Sequence, residues 1–260
     1  MVKVLVIGDS CIDEYIYCKT SRFCPDAPVP ILNPESYVCT EGMAGNVADN
    51  LRALGVEVDL VSNANQIKKT RYVDERTNHM FIRIDEGEDD IFPIEKITLA
   101  NIKWEKYDAV VISDYNKGFI NEDQISYISN NHHNTFLDTK KSIDNWAAGI
   151  KYIKINEVEL DHSIGFLHDN EEEFAEKVIT TLGSKGAQYK GQIYPVEEVD
   201  VRDTSGAGDT FMAGLVYAYL NIDKNYDIHS IIEFANKCST QVVQKKGTAK
   251  INKKELNYEI

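Results

Sequence analysis

Short apolar runs recur along the chain, and nearly every one closes on a polar residue or a glycine. Residues 2–7 run into Gly8-Asp9, residues 109–113 into Asp114, and residues 152–155 into Asn156. Residues 135–138 end on Asp138, and residues 56–62 and 178–182 are runs of the same kind. Runs this short, with little alternation, suit strands buried on both faces, which belong to parallel sheets. Between them the spacing turns helical. Val47, Leu51 and Leu54 predict a helix over 44–54 that stops at Gly55, a C-terminal cap. Asn121 is read as the cap of a helix over 121–129 that turns Ile125 and Ile128 inward. Asn170 is read as the cap of another, whose first turn carries Glu171, Glu172 and Glu173 to suit the helix dipole. The last two helices are predicted over 206–220 and 228–243. This alternation implies an α/β fold, a parallel sheet covered on both faces, with ligands bound beyond the carboxyl ends of the strands. Asp9, Asp114, Asp138 and Asn156 stand at those ends.

Two stretches break the alternation. Residues 13–38 hold Pro25, Pro28, Pro30 and Pro34 among alternating Tyr, Val and Ile, and residues 69–85 alternate polar with apolar without a helix. They predict a small antiparallel sheet that projects from the core as a lid. Its apolar face and edges would be covered by dimerisation through the lid.

At 260 residues the chain is long enough for one large domain, and 43% hydrophobic with 27% charged residues is an ordinary globular balance. Twenty-eight basic against 42 acidic residues leave a formal charge of -14. That sign excludes a general nucleic-acid or anionic-membrane binder, though not a local basic pocket for a small phosphorylated substrate. No apolar run approaches the roughly 18 residues of a membrane span, and the N-terminal run is too short for a signal peptide. A cytoplasmic protein is expected. Cys11, Cys18, Cys24, Cys39 and Cys238 form no C-x-x-C pair and read as reduced thiols. His132-His133, flanked by Asn, reads as a surface turn.

The strongest chemical signal is residues 203–211, Asp-Thr-Ser-Gly-Ala-Gly-Asp-Thr-Phe, entering an apolar helical run. Gly206 and Gly208 let backbone N–H groups approach an anion, and the helix N-terminus adds partial positive charge. Asp209 in that first turn suits a general base that deprotonates a hydroxyl attacking a phosphoryl group. Read alone, the turn is equally a helix start after a glycine bend. Residues 180–187, Thr-Thr-Leu-Gly-Ser-Lys-Gly-Ala, suit a nucleotide wrap or a tight hairpin. No G-x-x-x-x-G-K-[ST] occurs, and no G-x-G-x-x-G follows the first strand, which disfavours P-loop and Rossmann enzymes. Asn156 and Glu159, at i and i+3 on one helical face, suit a hydrated Mg²⁺ or an ordinary acidic first turn. Gly42-Met-Ala-Gly-Asn46 precedes a helix and offers close backbone approach with an amide for sugar hydroxyls, and Asp13 offers a carboxylate.

In this order the motifs resemble the ribokinase-like (PfkB) carbohydrate kinases, over nearly the whole chain. The resemblance implies a three-layer sandwich with a mostly parallel central sheet and a small antiparallel lid sheet, one domain over 1–260 with lid strands from about 13–40 and 69–86. It also implies ATP-dependent phosphorylation of a sugar hydroxyl. Asp209 would be the base, with Gly206, Ala207 and Gly208 forming the anion hole. Asn156, Glu157, Glu159, Thr181, Gly183, Lys185 and Gly186 would bind ATP, with Glu159 reaching Mg²⁺ through water. Asp13, Gly42 and Asn46 would grip the sugar, and Arg22, Lys69, Arg71 and Lys117 its phosphate. Asp203 resembles a position near a monovalent-cation loop, which leaves K⁺ open as an activator.

Residues 20–30, 81–85 and 113–118 (Ser-Asp-Tyr-Asn-Lys-Gly) are similar to the kinase domain of bacterial heptose 7-phosphate kinases, which serve ADP-heptose synthesis for lipopolysaccharide. Three features depart from the pattern. Met43 stands where relatives usually carry glycine, and Ser62 leads to Lys69 without the further helix and strand relatives place there. The sequence stops at Ile260 with no nucleotidyltransferase part, so a single activity is expected. Two alternatives stay open, a kinase for another sugar or sugar phosphate, and a non-catalytic sugar or nucleotide sensor on the same fold.

Overall fold

Lys3–Gly8 (β1) is apolar at consecutive positions because each residue faces a protein layer, Val4 and Val6 on one side and Leu5 and Ile7 on the other. The computed structural model describes residues 2–221 and 227–256. After β1 come Ser10–Phe23 (β2), Pro30–Met43 (β3), Ala44–Ala53 (α1), Glu57–Ser62 (β4), Ile67–Asp74 (β5) and Met80–Glu86 (β6). Next are Lys96–Ala100 (α2), Ala109–Asp114 (β7), Glu122–Asn131 (α3), Thr135–Thr139 (β8), Tyr152–Asn156 (β9), Glu157–Asp169 (α4) and Glu171–Phe174 (α5). The chain continues through Val178–Thr181 (β10), Ala187–Tyr189 (β11), Gln192–Tyr194 (β12), Ala207–Asn221 (α6) and Ile228–Val243 (α7).

The main sheet has the order β12-β11-β10-β9-β8-β7-β1-β4, parallel from β4 to β10 and closed by an antiparallel hairpin. One face packs on α1, α6 and α7 through residues such as Leu51, Phe211, Leu215 and Phe234. The other packs on α2, α3 and α5 through Leu99, Ile125, Ile128 and Phe174. This is the three-layer sandwich expected. Among the described residues no helix is long and apolar enough to cross a membrane, and the five cysteines are free.

The lid is a second sheet, order β3-β2-β5-β6. Its outer pairs are antiparallel, while β2 and β5 at its centre run parallel. β3 is an edge strand, where Pro30 at the start and Pro34 beside a register slip remove no ladder hydrogen bond the sheet needs. β4 leads into β5 after four residues, 63–66, with no helix or strand between.

Two local expectations are corrected. Asn170 does stand at the N-cap of α5 with Glu171, Glu172 and Glu173 in its first turn, but its side chain makes no cap: the amide donates to the Phe166 carbonyl at the end of α4, and α5 has four residues. His132 is not in an exposed turn. It is buried, with Nε2 2.9 Å from the Tyr107 carbonyl, and only His133 faces solvent.

Candidate active site

The carboxyl ends of the parallel strands meet the N-terminus of α6 along one edge of the sheet. Gly206 turns the chain into α6 at φ 76°, and a Cβ there would lie 2.5 Å from Asn46 Nδ2. Only glycine meets both demands. The Ala207 N–H donates to the Thr204 carbonyl, while those of Gly208 and Asp209 have no backbone acceptor among the described residues.

Asp209 is buried to 2% exposure. Asn46 Nδ2 donates to Oδ2 at 3.0 Å, and the Tyr115 hydroxyl donates to Oδ1 at 2.7 Å. Burial pushes the Asp209 carboxyl up to about 6, and the charge of Asp138 adds to this. The two hydrogen bonds and the charge of Lys154 act against it. Tyr115 is pushed well above the ordinary phenol value by burial and by Asp209, which keeps it a donor. Its loop is stapled by Asp9, which accepts the backbone N–H groups of Tyr115, Lys117 and Phe119.

On one side of Asp209 lies a cavity of about 900 Å³. Asn156, Glu157, Thr181, Gly183, Gly186, Gly206, Ala207 and Gly208 line it, so most of the predicted nucleotide residues converge. Lys185 and Glu159 do not. Lys185 is exposed on the turn before β11. Glu159 closes a capping box with Asn156, receiving its backbone N–H at 2.7 Å and its amide at 2.9 Å, and is also paired with Lys140. Lys140, Lys154 and Tyr115 also line the cavity and were not singled out from sequence. Lys154 carried a signal, a lysine between Ile153 and Ile155 in the middle of a short apolar strand.

On the other side of Asp209 are Asn46, Gly42 and Asp13. A Cβ on Gly42 would lie 2.5 Å from Asp13 Oδ2 and 2.6 Å from Cys11 Sγ, so that turn admits no side chain. Asp13 accepts from Arg71 at 2.6 Å and from the Thr248 hydroxyl at 3.2 Å. Lys69 bridges Asp85 at 3.1 Å and Glu88 at 2.5 Å, and Lys117 meets the other oxygen of Glu88 at 2.5 Å. Three of the four cations expected to take a phosphate are thus held by carboxylates. The fourth, Arg22, is exposed nine residues along β2 from Asp13, roughly 30 Å of strand away. Asp203 ties the loops before α6 and after α7, accepting from Ser205 N at 2.9 Å and Gly247 N at 3.1 Å.

A profile described as pfkB family carbohydrate kinase matches residues 46–255. The chain belongs to the pfkB family of carbohydrate kinases. This pfkB-family chain is 29% identical to the bifunctional protein HldE of a Nitratiruptor species, over 98% of the chain and 64% of that protein. It thus spans just under two thirds of that relative's length. The alignment runs over 303 positions against 260 residues here, so the relative holds residues this kinase lacks. In fold it is similar to Arabidopsis thaliana ribokinase complexed with ribose and ATP, at TM-score 0.66, 16% identity and full coverage of both chains. It is likewise similar to phosphofructokinase-2 from Escherichia coli in complex with potassium, at TM-score 0.68 and 15% identity, covering 95% and 94% of the two chains.

Proposed function

We propose that this sugar kinase transfers the γ-phosphoryl group of ATP to a hydroxyl of heptose 7-phosphate, giving the 1,7-bisphosphate. The observation that carries the phosphoryl-transfer reading is a buried carboxylate, Asp209, in the first turn of a helix whose free N–H groups face a 900 Å³ cavity. The cavity fits the nucleotide: Gly208 leaves the helix end open where a Cβ would lie 2.8 Å from Lys154 Nζ. ATP supplies the phosphoryl group. Asp209 accepts the proton of the attacking hydroxyl, and the amides of Gly208 and Asp209 meet the charge on the phosphoryl oxygens. Asn46 orients Asp209 and borders the sugar side, where Asp13 and the close turn at Gly42 would order hydroxyls.

Among the described residues no group of three His, Cys, Asp or Glu could hold a metal. Mg²⁺ would enter with ATP, held mainly by phosphate oxygens and water, while Glu159 is committed to Asn156 and Lys140 and stands away from the cavity wall. Replacing Na⁺ by K⁺ in the same assay reads the contribution of the Asp203 loop.

The heptose assignment is supported by the motifs at 20–30 and 113–118 and by the likeness to HldE. A second reading, another sugar or sugar phosphate, is favoured by Met43 in the sugar turn and by the carboxylates already on Lys69, Arg71 and Lys117. ADP release with MgATP against heptose 7-phosphate, fructose 6-phosphate, ribose and no sugar separates them. Turnover with heptose 7-phosphate alone supports the first, and turnover with another sugar alone overturns it. Asp209→Asn is expected to lower kcat by about 10²–10⁴-fold; retained activity removes Asp209 as the base.

A further inference from the structure

A lysine in the middle of a fully covered parallel strand is costly, since ammonium groups are rarely buried without a partner. Lys154 is such a residue, at 3% exposure in β9 between Ile153 and Ile155. Its register partner on β8 is Asp138, and Nζ meets Asp138 Oδ2 at 2.9 Å. The other oxygen of Asp138 has no hydrogen-bond partner. Asp138 thus holds Lys154 through a single oxygen. Lys154 Nζ lies against Gly208, in the first turn of α6, where the helix presents free N–H groups and its positive pole. Lys140, just beyond the end of β8, lines the same cavity. A cation pressed against the positive end of a helix is poorly placed for stability alone and well placed for an anion.

We propose that Lys154 is a further catalytic residue, whose ammonium contacts the phosphoryl group in flight and neutralises charge on its oxygens, while Asp138 fixes it there. This rests on the kinase reading above. In the step, the acceptor oxygen forms a bond to the γ-phosphorus and its proton passes to Asp209. The bond from the γ-phosphorus to the bridging oxygen breaks, and that oxygen leaves with the electron pair as part of ADP. No proton passes through Lys154. The sequence order places it two residues before Asn156 at the strand end, so a single strand end serves both the cavity wall and the reacting group.

The test uses the full chain with Lys154→Met, and with Asp138→Asn combined with Lys154→Met so that no unpaired carboxylate is left buried if the single variant fails to fold. The expected result is a fall in kcat of about 10²–10³-fold with KM for ATP moved little. A kcat within a few-fold of the natural chain in a folded variant overturns the assignment. Calorimetry with MgADP and orthovanadate gives a reading that does not depend on the sugar. The natural chain is expected to bind the pair on the order of 100-fold more tightly than MgADP alone, and the double variant to lose that gain. An equal gain in both overturns the role of Lys154. If the natural chain turns over no sugar, the proposed function fails, and the vanadate comparison still decides Lys154.

Discussion

In the proposed role of base, Asp209 would serve chemistry at the expense of folding. A carboxyl raised from 3.8 to about 6 binds its proton more tightly in the folded chain than in the unfolded one. Its contribution to stability is therefore fully present below about pH 3.8 and lost as pH rises through 6. A rise of that size corresponds to about 3 kcal/mol at most. Asp209→Asn should flatten that part of the stability–pH curve, read by urea denaturation at pH 4.5 and 7.5; an unchanged slope would refute the buried-charge argument. Activity runs the other way, because the base must be ionised. The acid limb of kcat/KM is expected near pH 6, and Tyr115→Phe, which removes a hydrogen bond to the ionised form, should move it upward. A limb that stays put excludes Tyr115 from setting the base. Asp209 was legible in the sequence only through the order of the motifs along the chain, since a Gly-x-Gly-Asp turn by itself is equally a plain helix start. Tyr115 and Lys154 were not singled out, since their partners lie 94 and 16 residues away and meet only through the packing of separate strands.

The elements show a similar division. Periodicity located β1, β7, β9, α1 and α6 within a residue or two, because each is buried on the faces its pattern implies. It did not reveal how Asn156 and Glu159 are used, since a capping box and a metal site draw on the same two residue types. At the start of α1, Met43 takes φ 56° and ψ -130°, a backbone state suited to glycine, and is buried at 4% exposure. Met43→Gly relieves strain of about 1–3 kcal/mol and loses a buried side chain worth about 2–5 kcal/mol, so a net loss of about 1–2 kcal/mol is expected on unfolding. A loss above about 4 kcal/mol would mean that the turn holds no strain. Between lid and core, Glu88 occupies Lys69 and Lys117, the two lysines proposed for a substrate phosphate. Glu88→Gln should lower KM for a phosphorylated sugar by about tenfold while leaving KM for ATP alone. An unchanged sugar KM removes those lysines from the substrate site.

For the molecule as a whole, the lid is the part that leaves an apolar face uncovered. Its outer face presents Tyr37, Met80, Ile82 and Ile84 to solvent, while Asp13, Tyr15, Lys69 and Arg71 face the core side. We propose that a second copy covers that apolar face. Light scattering after gel filtration should show a dimer that Ile82→Asp shifts to monomer; a monomer for the natural chain ends that proposal. How the lid is attached also sets how it can move. Only Asp9 separates β1 from β2, nothing separates β3 from α1, residues 63–66 join β4 to β5, and β6 passes to the core at Gly87. Among the described residues no long loop joins the lid to the core. Between β2 and β5 the register is unbroken from Cys11 and Ile67 to Cys18 and Asp74, so a swing would be taken up by twist of this pair as a unit near its root. A lid that closed over a bound sugar would then act as a leaf spring clamped at its root, its return set by the stiffness of its strands rather than by a wandering loop.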